Sequence, residues 1–128
     1  MNHSITIKPS LLVIDDCVEI LEIFKLVFET KGYQVITKKS AIDIFIFVEN
    51  NKIDILILDI ILNGVTCGRH ICKELKSNPL TNYFPIILIS ASPELLFDFR
   101  ECDADGFIEK PFDLEVAVKK IDSLLKIK

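Results

Sequence analysis

Acidic residues end two of the most apolar segments of this chain. The segment ILILD (55–59) ends in Asp59, and the segment SLLVID (10–15) ends in Asp15, which Asp16 follows directly. A carboxylate that is taken out of water without partners is costly, so it either finds them or gives up its charge. We therefore expect Asp59 to lie beside groups that stabilise its negative charge.

Two further polar groups end apolar segments later in the chain. Ser90 ends PIILIS (85–90), and Lys110 ends GFIEK (106–110) just before Pro111. Taken singly, each of these residues could simply cap a helix or fill a turn. Taken with the aspartates, they match the needs of one reaction, the transfer of a phosphoryl group to a carboxylate.

The predicted chemistry is attack by an aspartate oxygen on a phosphoryl group, which yields an aspartyl phosphate. Three carboxylates about 4 Å apart repel one another by several kcal/mol per pair at an effective dielectric of about 20, so they favour a divalent cation. Magnesium, Mg²⁺, suits this donor set because it takes oxygen ligands and keeps several waters. Lys110 and the Ser90 hydroxyl would contact the phosphoryl oxygens.

Strand-like and helix-like segments alternate five times along the chain. The predicted strands are 10–15, 33–37, 53–59, 85–90 and 106–110. Strands that are apolar along their length are typical of a parallel sheet with helices on both faces. The sequence therefore predicts an α/β fold with a doubly wound, five-stranded parallel sheet. The ligand site of such a sheet lies outside the carboxyl ends of the strands, where the strand order reverses.

One segment, AIDIFIFV (41–48), fits both a strand and a helix. Four of its residues would form one face of a helix: Ala41, Ile44, Phe45 and Val48. The alternation of strands and helices favours the helix. Ile42 and Ile46 then lie on its outer face, either as scattered surface residues or as a patch for a partner or a second copy.

Composition excludes several classes of protein. A chain of 128 residues with 50% hydrophobic composition fits one domain, residues 1–128. Nineteen acidic and fifteen basic residues without a basic run argue against direct nucleic-acid binding. The apolar stretches are short and interrupted by acidic residues, which argues against a membrane span. The N-terminus lacks the apolar core of a signal peptide, so we expect the cytoplasm.

The cysteines and histidines form no metal-binding pattern. The four cysteines show no CxxC spacing, and His3 and His70 do not complete a zinc motif. We expect reduced, partly buried thiols, and we expect His70 on a helix surface.

Four motifs, in this order and over nearly the whole chain, carry a family resemblance: LLVIDD (11–16), ILILDI (55–60), PIILISAS (85–92) and GFIEKPF (106–112). The chain resembles a CheY-like receiver domain of a two-component response regulator. The resemblance implies the flavodoxin-like fold of that family. It also implies that a histidine kinase or a phosphotransfer protein is the phosphoryl donor, and that the domain is a signalling module and not an enzyme.

The resemblance also assigns the metal ligands. It implies that Asp16, Asp59 and the backbone carbonyl of Ile61 bind magnesium, while Asp15 acts through water. Asp59 would be the phosphoacceptor.

Further roles follow from the same resemblance. Ser90 and Lys110 would contact the phosphoryl group, and Phe107 would change rotamer as the switch. The bond between Lys110 and Pro111 is expected to be cis. An unidentified protein target and a phosphorylation-dependent homodimer are the implied downstream partners.

Three residues depart from the family pattern. Asn63 stands where a proline is usual four residues after the phosphoacceptor, and Gly68 opens the third helix one residue later than usual. Asp103 replaces a usual glycine, although aspartate tolerates the left-handed conformation better than most residues. The segment between Ser90 and Lys110 is also slightly short. We therefore expect a remodelled loop after Asp59 and a short fourth helix.

Other functions fit the residues less well. A haloacid-dehalogenase-type phosphatase needs a second aspartate where this chain has Ile61, and neither GxGxxG, GxxxxGK nor GxSxG is present. A receiver-like docking module that works without phosphorylation stays open. The chain is either a stand-alone receiver that binds a target or relays the phosphoryl group, or a piece of a larger protein.

Overall fold

The computed structural model describes residues 8–96 and 99–125 of the chain. Residues 1–7, which include His3 and most of the N-terminus discussed above, lie outside these ranges. The α-helices are α1 Val18–Thr30, α2 Ile44–Asn50, α3 Gly68–Ser77, α4 Pro93–Leu96 and α5 Leu114–Leu125. The strands are β1 Ser10–Ile14, β2 Gln34–Lys38, β3 Ile55–Asp59, β4 Ile61–Leu62, β5 Val65–Thr66, β6 Ile86–Ser90 and β7 Gly106–Glu109, and a 3₁₀ helix spans Phe99–Cys102.

Five of the strands form one parallel sheet in the order β2-β1-β3-β6-β7. The chain moves outward from β1 to β2 and then crosses back to place β3 on the other side of β1. The strand order therefore reverses between β1 and β3, and the site predicted from the sequence lies at this point. The predicted doubly wound α/β fold is confirmed. No helix within residues 8–96 and 99–125 is long and apolar enough to cross a membrane.

Alternate residues of the central strands face opposite layers of helices. On β1, Leu12 and Ile14 pack in the core that includes α2 and α3, whereas Leu11 and Val13 pack in the core that includes α1 and α5. Every residue of β3 and of β6 is buried. Strands buried on both sides explain why their sequences are apolar without alternation.

Helix α1 ends at Thr30, two residues before Gly32. This glycine has a φ of +96°, and its amide donates to the Glu29 carbonyl at 3.0 Å. The Tyr33 amide donates to the Phe28 carbonyl at 2.9 Å, and the two aromatic rings pack edge to face. These bonds form a Schellman motif, which satisfies the last carbonyls of the helix.

The ambiguous segment 41–48 forms a helix, as predicted, but α2 begins only at Ile44. The Ser40 hydroxyl accepts a hydrogen bond from the Ile42 amide at 3.1 Å and holds the chain there in a turn. Ile44 is buried against the sheet, whereas Ile42 is 92% and Ile46 is 69% exposed. The predicted inner and outer faces of the segment are therefore confirmed.

The segment around Asn63 and Gly64, predicted as a loop, is a short hairpin. Strands β4 and β5 pair antiparallel with Leu62 opposite Val65. Asn63 and Gly64 have φ values of 52° and 79°, and a type I′ turn needs positive φ at both of these positions. An Asn-Gly pair between apolar residues is the sequence signal for this hairpin. Asp103 also has a positive φ, 66°, as expected.

Substitutions on the two faces of α2 should differ sharply in their effect on stability. Ile44→Ala should lower the free energy of unfolding by about 2–5 kcal/mol, because it leaves a cavity in the core. The double variant Ile42→Glu/Ile46→Glu should lower it by less than about 0.5 kcal/mol per site, because both side chains are exposed. Urea unfolding measures both values. Similar losses in the two variants would contradict the orientation of the segment.

Candidate functional site

Asp15 and Asp16 follow β1 at the edge where the strand order reverses. Asp15 is fully buried, and its Oδ1 accepts a hydrogen bond from the Cys17 amide at 2.9 Å. Asp16 is exposed, and its Oδ2 accepts a hydrogen bond from the Asn63 amide at 2.8 Å. A backbone amide thus orients each carboxylate, one from the adjacent turn and one from the distant hairpin.

Asp59 ends β3, the strand next to β1, and is 4% exposed. Its Oδ1 accepts a hydrogen bond from the Ile61 amide at 2.9 Å, and its Oδ2 accepts one from Lys110 Nζ at 2.8 Å. One oxygen from each of Asp15, Asp16 and Asp59 lies within 4.8 Å of the others. The acidic cluster predicted from the sequence is therefore present.

Lys110 brings a positive charge to two of these carboxylates. It follows β7, and its peptide bond to Pro111 is cis, as predicted. Lys110 Nζ lies 2.8 Å from both Asp15 Oδ2 and Asp59 Oδ2. The Lys110 amide also donates to the Ser90 carbonyl at 2.9 Å, which fixes the lysine backbone against β6.

Burial and charge shift the pKa values of Asp59 and Lys110. Burial raises the pKa of Asp59, and the hydrogen bonds from Lys110 and the Ile61 amide offset only part of this increase. Burial alone would lower the pKa of Lys110, but its close contacts with the negative charges of Asp15 and Asp59 outweigh burial and raise it. The lysine therefore stays charged, and its single ammonium contacts two of the three carboxyl groups of the cluster.

The donor set of this cluster fits a divalent cation. Asp15 Oδ2 touches Lys110 Nζ as an ion pair without hydrogen-bond geometry. Among the buried side-chain nitrogen and oxygen atoms that the structure describes, Asp15 Oδ2 is the one without a hydrogen-bond partner. Such an oxygen is costly unless a further partner compensates for the lost water. Carboxylate oxygens are also the ligands that magnesium prefers.

Ser90 and Phe107, the two residues predicted to form the switch, lie on the neighbouring strands β6 and β7. Ser90 is buried, and its Oγ accepts a hydrogen bond from the Ser92 amide at 3.0 Å. Phe107 is half-buried against the core that includes α2 and α3. Lys120 Nζ, on α5, lies 4.9 Å from the centroid of the Phe107 ring. Ser90 thus contacts the residue just before α4, and Phe107 contacts α5.

Gly68 fixes the start of α3 against the backbone of the phosphoacceptor candidate. A Cβ at this position would lie 2.4 Å from the Asp59 carbonyl oxygen and 2.6 Å from Ile60 Cα. The Gly68 amide donates to the Ile60 carbonyl at 2.8 Å. Because both obstacles are backbone atoms, no larger residue fits without moving β3. The sequence marked Gly68 as a helix start, but it gave no sign of this contact.

The remaining candidates lie outside the cluster. His70 is exposed on α3 and lies 3.3 Å from Glu74, as expected for a helix-surface residue. The four cysteines are thiols, as predicted: Cys17, Cys67, Cys72 and Cys102. Burial raises the pKa of the Cys72 thiol, which makes it a poor nucleophile.

Comparison with known proteins identifies the class to which this fold and site belong. Residues 11–122 match the response regulator receiver domain family, and the chain belongs to that family. The match covers the whole acidic cluster together with Ser90, Phe107 and Lys110. The resemblance drawn from the four sequence motifs is confirmed.

Curated relatives of the chain are regulatory proteins. The chain is 33% identical over 115 residues to the response regulator SaeR of Staphylococcus aureus, covering 90% of this chain and 50% of SaeR. It is 30% identical over 118 residues to the nisin biosynthesis regulatory protein NisR of Lactococcus lactis subsp. lactis, covering 91% of this chain and 50% of NisR. The chain thus spans about half the length of these relatives.

Solved structures agree on the fold. A protein assigned as a response regulator from Chloroflexus aurantiacus J-10-fl superposes with a TM-score of 0.85 at 27% identity, covering 94% of this chain and 100% of that one. The receiver domain of a signal transduction histidine kinase from Syntrophus aciditrophicus gives a TM-score of 0.80 at 27% identity, covering 91% and 89%. Chemotaxis protein CheY4 of Vibrio cholerae, at 22% identity, shares the fold with a TM-score of 0.82, covering 93% and 100%.

Neutralising Asp59 should stabilise the fold in magnesium-free buffer. A carboxyl group whose folded-state pKa lies above its unfolded value contributes stability at low pH, and this stability is lost as the pH rises through the folded-state pKa. Asn cannot ionise, so the advantage of Asp59→Asn should be largest at neutral pH and should shrink on acidification.

Urea unfolding at several pH values measures this advantage, with Asp43→Asn as the control. Asp43 is an exposed carboxylate that pairs with Lys38 at 3.2 Å, so its substitution should give no comparable gain. An advantage of Asp59→Asn that grows toward acid pH would contradict the sign of the pKa shift.

Proposed function

We propose that Asp59 accepts a phosphoryl group from a histidine kinase or a phosphotransfer protein and that this modification switches the domain between two states. The observation that carries the proposal is the contact of Asp59 Oδ2 with Lys110 Nζ at 2.8 Å inside the acidic cluster. A nucleophilic carboxylate, a fixed ammonium and a hard cation site are the parts that phosphoryl transfer to aspartate needs. Membership of the receiver family supports the same donor class.

Asp15, Asp16, Asp59 and the backbone carbonyl of Ile61 are the proposed magnesium ligands, with Asp15 acting through water. The absence of a hydrogen bond to the buried Asp15 Oδ2 and the close approach of the three carboxylates support this assignment. When bound, magnesium neutralises charge on the phosphoryl oxygens and on the cluster.

In the proposed transfer, an Asp59 oxygen bonds to phosphorus while the bond between phosphorus and the donor breaks, and the donor keeps that electron pair. Lys110 then moves its ammonium from Asp59 Oδ2 to a phosphoryl oxygen. Its raised pKa keeps the lysine charged, so it needs no proton before it acts. The Ser90 hydroxyl donates a hydrogen bond to a second phosphoryl oxygen.

The proposed switch starts with Ser90. When its hydroxyl turns toward the phosphoryl group, Oγ leaves the Ser92 amide, which lies directly before α4. Phe107 moves into the space that Ser90 vacates and leaves its position beside Lys120 of α5. The surface formed by α4, β7 and α5 then shifts between two pre-existing states, and partner proteins distinguish them.

The wider roles are part of the same proposal. Residues 1–128 form one receiver domain that acts in the cytoplasm and catalyses at most its own phosphorylation and dephosphorylation. A protein target or a second copy of the domain recognises the switched surface. Whether the phosphoryl group is passed onward depends on a phosphotransfer partner.

Acetyl phosphate with magnesium should add one acid-labile phosphoryl group to the domain, because the aligned site needs no kinase once a small donor enters. Asp59→Asn should abolish this labelling while leaving the fold intact, and Lys110→Ala should slow it. Intact-mass measurement records the added group.

Asp43→Asn serves as the matched control and should be labelled like the parent, since Asp43 pairs with Lys38 and is not one of the three clustered carboxylates. Full labelling of Asp59→Asn would show that the phosphoacceptor assignment is wrong. Failure of the parent with every donor would favour a docking module that works without phosphorylation.

A further inference from the structure

The hairpin β4–β5 contacts carboxylates from two different strands. The Ile61 amide, at the start of β4, donates to Asp59 Oδ1 at 2.9 Å. The Asn63 amide, in the turn of the hairpin, donates to Asp16 Oδ2 at 2.8 Å. Asp16 follows β1 and Asp59 ends β3. The short hairpin therefore holds two carboxylates from different strands in fixed positions relative to each other.

Asp16 depends on the hairpin more than the other two aspartates do. Asp15 and Asp59 are buried and contact Lys110, whereas Asp16 is exposed. Within the described residues, the Asn63 amide is the hydrogen-bond donor to the Asp16 side chain. An exposed aspartate without such a bond exchanges among several rotamers, so the bond selects the one that faces the cluster.

The hydrogen bond depends on the backbone of the turn and not on the side chain of Asn63. The φ values of 52° at Asn63 and 79° at Gly64 lie in the left-handed region, which Gly and Asn adopt most easily. A Cβ added at Gly64 would meet no atom within 4 Å. The requirement for glycine there is therefore conformational, and a larger residue would strain the turn without a steric clash.

We propose that the Asn63–Gly64 turn is a positioning element of the magnesium site, which holds Asp16 in the ligating rotamer and so raises the affinity for magnesium. The amide also compensates part of the negative charge of Asp16. This inference rests on the proposed function, because it takes Asp16 to be a metal ligand. Outer-shell hydrogen bonds of this kind typically change metal affinity by about 10-fold or more.

Gly64→Val tests the turn, and Gly32→Val is its matched control. Gly32 also has a positive φ and open space around its missing Cβ, but it lies at the end of α1. Both variants should lose stability through backbone strain. Isothermal titration with magnesium chloride should show an affinity about 10-fold weaker for Gly64→Val and unchanged for Gly32→Val. Gly64→Ala, with less strain, gives an intermediate loss if the valine variant does not fold.

Two further measurements separate positioning from a general loss of structure. Asn63→Gly should bind magnesium like the parent, because glycine keeps the left-handed turn and its amide. At low magnesium, Gly64→Val should be labelled by acetyl phosphate more slowly than the parent. This difference should disappear at saturating magnesium. In metal-free buffer, Asp16→Ala should speed hydrogen exchange of the Asn63 amide.

The results distinguish the inference from the function on which it rests. Unchanged or tighter magnesium binding by Gly64→Val and Gly64→Ala, with a parent that binds, would overturn the positioning role alone. Equal losses of magnesium affinity in Gly64→Val and Gly32→Val would also overturn the positioning role. A parent that binds no magnesium would overturn the metal assignment and the positioning role together.

Discussion

The Lys110 ammonium holds two buried carboxylates, Asp15 and Asp59, side by side at the carboxyl edge of the sheet. Two such charges near 4 Å repel by several kcal/mol at an effective dielectric of about 20, so the arrangement needs a cation between them. The parallel sheet supplies the geometry, since it brings the ends of β1, β3 and β7 to the same edge. One ammonium among three carboxyl groups leaves negative charge unbalanced, and this excess suits the proposed divalent cation.

Several contacts restrict the movement of Asp59 and Lys110 at this edge of the sheet. Gly68 places α3 directly against the Asp59 backbone, and the hairpin amide of Ile61 fixes one oxygen of the same carboxylate. On the other side, Lys110 is hydrogen-bonded through its backbone to Ser90, whose hydroxyl accepts the Ser92 amide before α4. A new group on Asp59 would therefore compete first with the contacts that this carboxylate makes to Lys110 and to the Ile61 amide.

The sequence predicted most of the fold and the residues of the acidic cluster, because both depend on local patterns. Apolar strands predict a buried parallel sheet, and polar residues at the ends of such strands must meet at its carboxyl edge. Burial of Ile44 with exposure of Ile46 likewise follows from helical spacing. Helix α2 begins at Ile44, later than the spacing from Ala41 indicates, and the Ile42 amide bonds instead to the Ser40 hydroxyl.

Other features depend on contacts between distant residues and could not be read from local patterns. The bond between the Asn63 amide and Asp16 joins residues 47 positions apart and uses a backbone group that every residue but proline has. The tight approach of Gly68 to Asp59 depends on how α3 packs, so the glycine alone does not reveal it. The Asn-Gly hairpin is different, because its signal is present in the sequence although only a loop is predicted there.

Direct localisation of the phosphoryl group tests the central claim, that Asp59 is the phosphoacceptor. Borohydride reduces an aspartyl phosphate to homoserine, so the residue that carried the phosphoryl group can be identified by peptide sequencing in a mass spectrometer. After treatment with acetyl phosphate and magnesium, we predict homoserine at position 59 and unmodified Asp15 and Asp16. Homoserine at position 15 or 16, with position 59 unmodified, would contradict the role assigned to Asp59.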